Sequence, residues 1–372
     1  MKKVGTKVAF ETVAQKLNEW YKVIKQNNIE KATEMKEEII RVLPDMVKIQ
    51  DVLLYFNLLD SRFNLLIENY NASGEIIDDL DSDSLEASTD NMIQYYFFFF
   101  SGMYQFYKKN FTEAINFYRR AERSVALIPD EVERAEFNYQ IAKAYYEIHQ
   151  NWFSLNHAEK ALESFLASDN YAHKAAATQM IIACNQLDLF RYTDAESLFK
   201  KSIRMATKNE EKYAQALGHY NLGICYERQE KLDLARDSFE IALDILEEQE
   251  SKMSTLRATY MLTRVLLKKG LYEDADYWYQ KGLDLSSELN EKTYAAKLSI
   301  IYSIYRDRNE SSLDKGLEQL RKEKLWSDVA DLTINAARHF KKEDCLYLAS
   351  KYFDEGISAR DKILTWTEEI NT

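Results

Sequence analysis

The stretch AQALGHYNLGICYERQEKLDLARDSFEIALDILEE, residues Ala214 to Glu248, reads as two helices that cannot bury their apolar faces alone. Leu222, Gly223 and Tyr226 fall at i, i+1 and i+4. After a polar break at Glu227 to Lys231, Ala235, Phe239 and Ala242 follow at i, i+4 and i+7. Residues at these spacings share one helix face. Gly223 and Ala235 are small where two antiparallel helices must approach closely, and Tyr226 and Phe239 fill the space on either side. Asn221 lies inside the first helix and does not belong to that packing logic.

A hairpin of this pattern, repeated at a fixed period, is the signature of a tetratricopeptide array. Aligning on the small residue that opens each second helix gives Ala114, Ser154, Ala195, Ala235, Ala275, Gly316 and Ala349, with steps of 40, 41, 40, 40, 41 and 33. Most units carry an aromatic four residues on and a small residue seven on, as in Tyr118 with Ala121 and Phe199 with Ser202. A period near 40 exceeds the usual one of about 34, so the helices or the turns are expected to be longer. Such arrays coil so that the first helix of each repeat lines a concave channel.

The composition agrees with an all-α chain. Only 9 Gly and 2 Pro stand among 372 residues, and 46% hydrophobic residues supply a core. The 25 Tyr and 18 Phe are read as inter-helix packing. A net charge of −12 argues against nucleic acid, which needs clustered Lys and Arg. It would instead draw a cationic peptide or protein. No stretch is apolar enough to cross a membrane, and no secretory signal opens the chain. Cys184, Cys225 and Cys345, read as lying in first helices, are expected to be buried small residues in a reducing cytoplasm.

Before the array, three amphipathic helices are expected at Val8 to about Gln26, Ile29 to about Leu43 and Met46 to about Tyr70. Together they make a small bundle over residues 1–72. Gln50 and Asp51 lie in the first turns of the third helix. Residues 73–92 read as an acidic linker or a weakly helical arm, and 93–372 as the repeat domain. Asp79, Asp81 and Asp83 alternate as in a calcium loop. However, Ser84 stands where such a loop needs Gly, and Asp90 stands where it needs Glu. Six consecutive aromatics, Tyr95 to Phe100, cover every side of a helix, which predicts burial.

Within the array, Asp188 and Asn221 are polar residues flanked by apolar positions on first helices of adjacent repeats. Asn can both donate to and accept from an extended peptide's backbone, and Asp can accept from its N–H groups. The alternative is that either caps a neighbouring turn or points to solvent. The five His show no metal-ligand spacing, and there is no Walker loop, dinucleotide-binding fingerprint or nucleophile elbow. Any catalysis would use machinery that belongs to the substrate.

Several strings are more specific than repeat packing requires: KLNEWY at Lys16 to Tyr21, QDVLLYFNLL at Gln50 to Leu59, QYYFFFFSGMYQF at Gln94 to Phe106, the stretch Glu133 to Ala158, NQLDL at Asn185 to Leu189 and YNLGICY at Tyr220 to Tyr226. With the order bundle, acidic link and long-period array, the chain resembles the Rap family of Bacillus over nearly its whole length. The resemblance implies a cytosolic quorum-sensing regulator that binds a response regulator. Some members hasten hydrolysis of the regulator's aspartyl phosphate in the sporulation phosphorelay. Others sequester a competence transcription factor and block its DNA binding. A short Phr signalling peptide in the array channel switches either activity off. By the same resemblance Gln50 is the catalytic glutamine, and Asp188 and Asn221 anchor the peptide backbone. No cofactor of its own is implied, since magnesium belongs to the partner's receiver domain. Phr peptides often carry a basic second residue, which suits an acidic array. The chain departs from the family's usual pattern at Val47, Lys48 and Ile49, and at Asp60, Ser61, Arg62 and Phe63, all placed on the partner-facing helix. A third reading, a peptide-responsive transcription factor, lacks a helix-turn-helix in the first seventy residues.

Overall fold

A computed structural model describes residues 9–46, 49–80, 91–168 and 170–369. Among them are eighteen α-helices and no strand. The chain divides into two compact units, residues 1–185 and 186–372.

The first unit opens with α1 (Phe10–Lys25) and α2 (Ile29–Val42), a 3-10 turn at Leu43–Asp45, and α3 (Gln50–Leu66). The third helix is shorter than the apolar stripe suggests. Glu68 takes a left-handed φ of 59°, and the Asn69 side chain then caps a new helix, α4 (Tyr70–Asp78), by accepting from Ala72 N–H. The expected linker therefore begins as a packed helix, with Ser73, Gly74 and Ile77 buried. The rest of the acidic stretch, 81–90, lies outside the described residues, and with it most of the calcium-like alternation.

The array begins with α5 (Asn91–Tyr107) and α6 (Phe111–Val125), followed by α7 (Glu131–Glu147) and α8 (Asn151–Ala167). All six aromatics from Tyr95 to Phe100 are buried, as their unbroken run predicts. They stand in one apolar core with Trp20 and Phe63 of the bundle and Tyr118 and Phe137 of the hairpins. A polar network runs through this core. The Glu133 carboxylate accepts from Tyr21 Oη (2.8 Å), Tyr95 Oη (3.1 Å) and Lys25 Nζ (3.1 Å). Burial pushes the Glu133 carboxyl above its ordinary range against the pull of Lys25 and Tyr21. Breaking such a pair by removing one partner leaves an uncompensated charge, at a cost of about 3–5 kcal/mol.

The remaining helices continue the hairpin pattern. They are α9 (Ala172–Asp188), α10 (Tyr192–Lys208), α11 (Lys212–Arg228), α12 (Leu232–Glu248), α13 (Lys252–Lys269), α14 (Tyr272–Glu288), α15 (Lys292–Tyr305), α16 (Glu310–Lys322), α17 (Trp326–Lys342) and α18 (Leu346–Glu369). The long period resides in the helices: α10, α11 and α12 have 17 residues each. The turns are short. In the turn after α11, Glu230 takes a φ of 57° and Lys231 N–H reaches back to Tyr226 O at 3.0 Å, which satisfies a carbonyl at the helix end.

The close approach expected at Gly223 is present. A Cβ built there would sit 2.7 Å from Phe239 Cε1, and Phe239 is fully buried. Two expectations change. Glu227 does not belong to the polar break, because it is buried in the last turn of α11. Of the cysteines, only Cys225 is buried; Cys184 lies half-buried in a first helix, and Cys345 is exposed in the turn before α18.

Candidate functional site

Gln50 is the first residue of α3 and is exposed. At that position its backbone N–H is one of the unpaired donors of a helix start, and the residue is open to solvent. Asp51 beside it is exposed as well. Val47 and Lys48 lie outside the described residues. Of the second departure from the family pattern, Ser61, Arg62 and Phe63 are buried and face the inside of the fold, whereas Asp60 is half-buried and pairs with Lys36. Ser61 Oγ meets Ser73 Oγ at 2.8 Å, and Arg62 points toward Glu136.

In the second unit, Asp188 is the last residue of α9 and Asn221 sits in the middle of α11, so both stand on first helices of successive hairpins. Asn221, Ile224 and Arg228 recur at i, i+3 and i+7 and form one stripe of α11. Arg228 Nη1 donates to Asp188 Oδ1 at 2.9 Å, so the two candidate anchors are connected through the stripe. Along the helix axis, residues Asn221 and Arg228 are about 10 Å apart at 1.5 Å per residue. An extended peptide spans that in about three residues. Asp188 is spent on an arginine at one oxygen, and the other oxygen can still accept from a peptide N–H.

The equivalent stripe on α13 is Met261, Arg264 and Lys268, and it is closed by ion pairs that the one-dimensional pattern does not reveal. The Arg264 guanidinium is buried between two carboxylates, Glu227 Oε1 at 3.2 Å from Nε and Asp331 Oδ2 at 2.6 Å from Nη1. Lys268 Nζ lies 2.8 Å from Glu227 and 2.9 Å from Glu230. The Asp331 carboxylate keeps access to solvent, and the Arg264 guanidinium beside it holds the carboxyl below its usual range. Lys297, on α15, pairs with Asp328 at 2.6 Å over the rings of Tyr260 and Tyr294. Each of these carboxylates thus already faces a cation of the chain itself. The acidity of the composition is not available there as free charge, and a basic peptide side chain would compete with Arg228 or Arg264. Sequence reading missed Glu227 and Arg264, and the only signal was charge at positions the hairpin pattern reserves for packing.

The geometry defines a class first: a helical bundle sharing its core with long-helix tetratricopeptide hairpins, with an Asp and an Asn presented from successive first helices. Residues 7–68 match the model of the N-terminal domain of response regulator aspartate phosphatase H, and residues 174–248 and 212–288 match tetratricopeptide repeats. The chain is 32% identical over 366 residues to response regulator aspartate phosphatase I of Bacillus subtilis (strain 168), covering 96% of this chain and 93% of that protein. It is similar to the structure of a Rap protein complexed with competence and sporulation factor, with a TM-score of 0.85 at 30% identity over 95% of this chain and 99% of that one. It also resembles the Rap conjugation gene regulator of the plasmid pLS20 in complex with the Phr* peptide, with a TM-score of 0.68 at 29% identity over 97% and 98% of the two chains. The chain belongs to the Rap family of regulators.

Among the described residues no helix is long and apolar enough to cross a membrane, and no group of His, Cys, Asp and Glu is arranged to hold a metal ion.

Proposed function

We propose that this Rap-family chain binds a phosphorylated response regulator through its N-terminal helices and promotes hydrolysis of the aspartyl phosphate, and that a short Phr-type peptide held by Asp188 and Asn221 inhibits it. The observation that carries the first half is Gln50, exposed at the start of α3 within the segment matched by the phosphatase family model. A carboxamide there can enter a receiver domain and orient water in line with the leaving carboxylate, as a glutamine does in GTP hydrolysis. Magnesium and the phosphate-stabilising groups are the partner's, so the chain supplies positioning, not a nucleophile or general base. The second half is supported by the presentation of Asp188 and Asn221 and by a relative whose structure contains the Phr* peptide.

The test is release of phosphate from purified, phosphorylated sporulation response regulators, wild type beside Gln50→Ala. The expected result is acceleration by the wild type and a loss of roughly a hundredfold in the variant with binding intact. No acceleration for any phosphorylated partner, with tight capture of a DNA-binding response regulator instead, would replace the phosphatase by a sequestering regulator.

A further inference from the structure

The first unit holds a buried group of cations out of keeping with a chain of net charge −12. Arg62 from α3, Lys143 from α7 and Lys174 from α9 gather about one buried carboxylate, Glu136 of α7. That carboxylate is already committed. Lys174 Nζ lies 3.0 and 3.2 Å from its two oxygens, and Gln140 Nε2 donates to it at 2.8 Å. Arg62 is left at 3.8 Å. The Arg62 side chain is 4% exposed, and its Nε has no hydrogen-bond partner. A buried guanidinium N–H without an acceptor is costly, because its hydration is lost and nothing replaces it.

Lys143 is the second incomplete group. Its Nζ donates to Gln140 Oε1 at 3.3 Å and otherwise faces rings, at 4.5 Å from the centroid of Phe106 and 5.6 Å from those of Tyr107 and Tyr139. Among the described residues no carboxylate lies within 4.0 Å of it. Besides Glu136, the exposed Glu147 at the end of α7 bears on it. Burial, then Lys174 and Arg62, bring Lys143 down to about 8 against the pull of Glu136 and Glu147. Three cations therefore share one buried carboxylate and one at the rim.

We propose that Arg62 and Lys143, backed by Lys174, form a binding site for a small free oxyanion of the phosphate class, which would complete the Arg62 Nε–H and neutralise the unpaired ammonium. Arg62 and Lys174 lie too deep for a partner's side chain, which selects a diffusible ion. Lys143, half-buried, is the way in. The site is distinct from Gln50, since twelve residues of α3 place Arg62 about 18 Å along the helix from it. A bound oxyanion would join α3 to α7 and α9 by opposite charge where the empty site has like charges facing each other.

The experiment uses the full chain, with sulfate as probe because its charge is constant with pH, at ionic strength held fixed with chloride. Wild type should show a saturable rise in Tm of about 3 °C or more, competed by inorganic phosphate in calorimetric titration. Lys143→Gln, which breaks no ion pair, should lower sulfate affinity at least about tenfold. Lys143→Arg should keep the affinity. Wild-type affinity should fall as pH rises from 7 to 9, and the Lys143→Arg variant should be flat over that range. A rise in Tm that does not saturate, or one that is equal in Lys143→Gln, would mean an adventitious ion only and would overturn the site.

Discussion

Asp188 and Arg228, forty residues apart, occupy the last position of successive first helices and meet through Oδ1 and Nη1 at 2.9 Å. The pair does more than join two repeats. Arg228 lies one turn beyond Ile224 on the stripe that begins at Asn221, so it sets the direction in which the Asp188 carboxylate is presented. Asn221→Ala should weaken binding of the inhibitory peptide at least about tenfold, as expected for losing a donor and an acceptor to the backbone. The variant should leave activity on the response regulator unchanged. Calorimetric titration of both proteins with the peptide decides it, and an unchanged Kd would remove Asn221 from the site.

The helix approach at Gly223 has no room for a methyl group. Gly223→Ala would place Cβ 2.7 Å from the Phe239 ring, and Phe239 cannot retreat because it is fully buried. Overpacking costs about 1–3 kcal/mol, and the better helix propensity of alanine returns about 1. A net loss of up to about 2 kcal/mol should appear in urea unfolding. Phe239→Leu introduced into the same chain should recover part of it, and a midpoint equal to wild type would disprove the tight contact.

Glu227 compensates two buried cations. Glu227→Ala leaves Arg264 with Asp331 alone and takes from Lys268 its buried partner. The expected destabilisation is about 3–5 kcal/mol, far more than for the exposed pair of Lys252 and Glu288. Glu227→Gln should lie between, since the amide still accepts a hydrogen bond. Equal unfolding midpoints for Glu227→Ala and Lys252→Ala would show that the interior pair is not stabilising.

His157 should make the first unit acid-sensitive. It is buried, its Nδ1 lies 2.8 Å from Asn138 Oδ1, and burial, with a smaller effect of Lys160, lowers its pKa to about 4. In the unfolded chain the ring takes a proton near pH 6.5. Between these values the unfolded state binds the extra proton, so the contribution is fully present above about pH 6.5 and is lost as pH falls toward 4. The loss should be on the order of 2–3 kcal/mol and absent in His157→Gln. Denaturant midpoints at pH 7 and 4.5 for the two proteins measure it, and parallel pH dependences would assign the sensitivity elsewhere.

The sequence by itself determined the helices, their hairpin pairing and the near-40-residue period, because each depends on neighbours three to seven residues apart on one helix face. Gly223 against Phe239 and the burial of Tyr95 to Phe100 follow from that local spacing. It also placed Gln50 at a helix start and Asp188 and Asn221 on first helices. Only the tertiary structure decided what lies opposite a charge. Glu227 read as the start of a polar break until α13 brought Arg264 and Lys268 over it. Asp188 read as a peptide anchor, a turn cap or a solvent-facing residue, and nothing in its spacing reported that Arg228 meets one of its oxygens. Ser61 to Phe63, on a helix that presents Gln50 outward, turned inward against α4 and α7. Arg62, Lys143 and Lys174 come from three helices across more than a hundred residues, and no periodicity in one dimension reports that they share a single buried carboxylate. Helix faces are set by short-range geometry, whereas the balance of a buried charge is set by whatever distant segment the packing delivers.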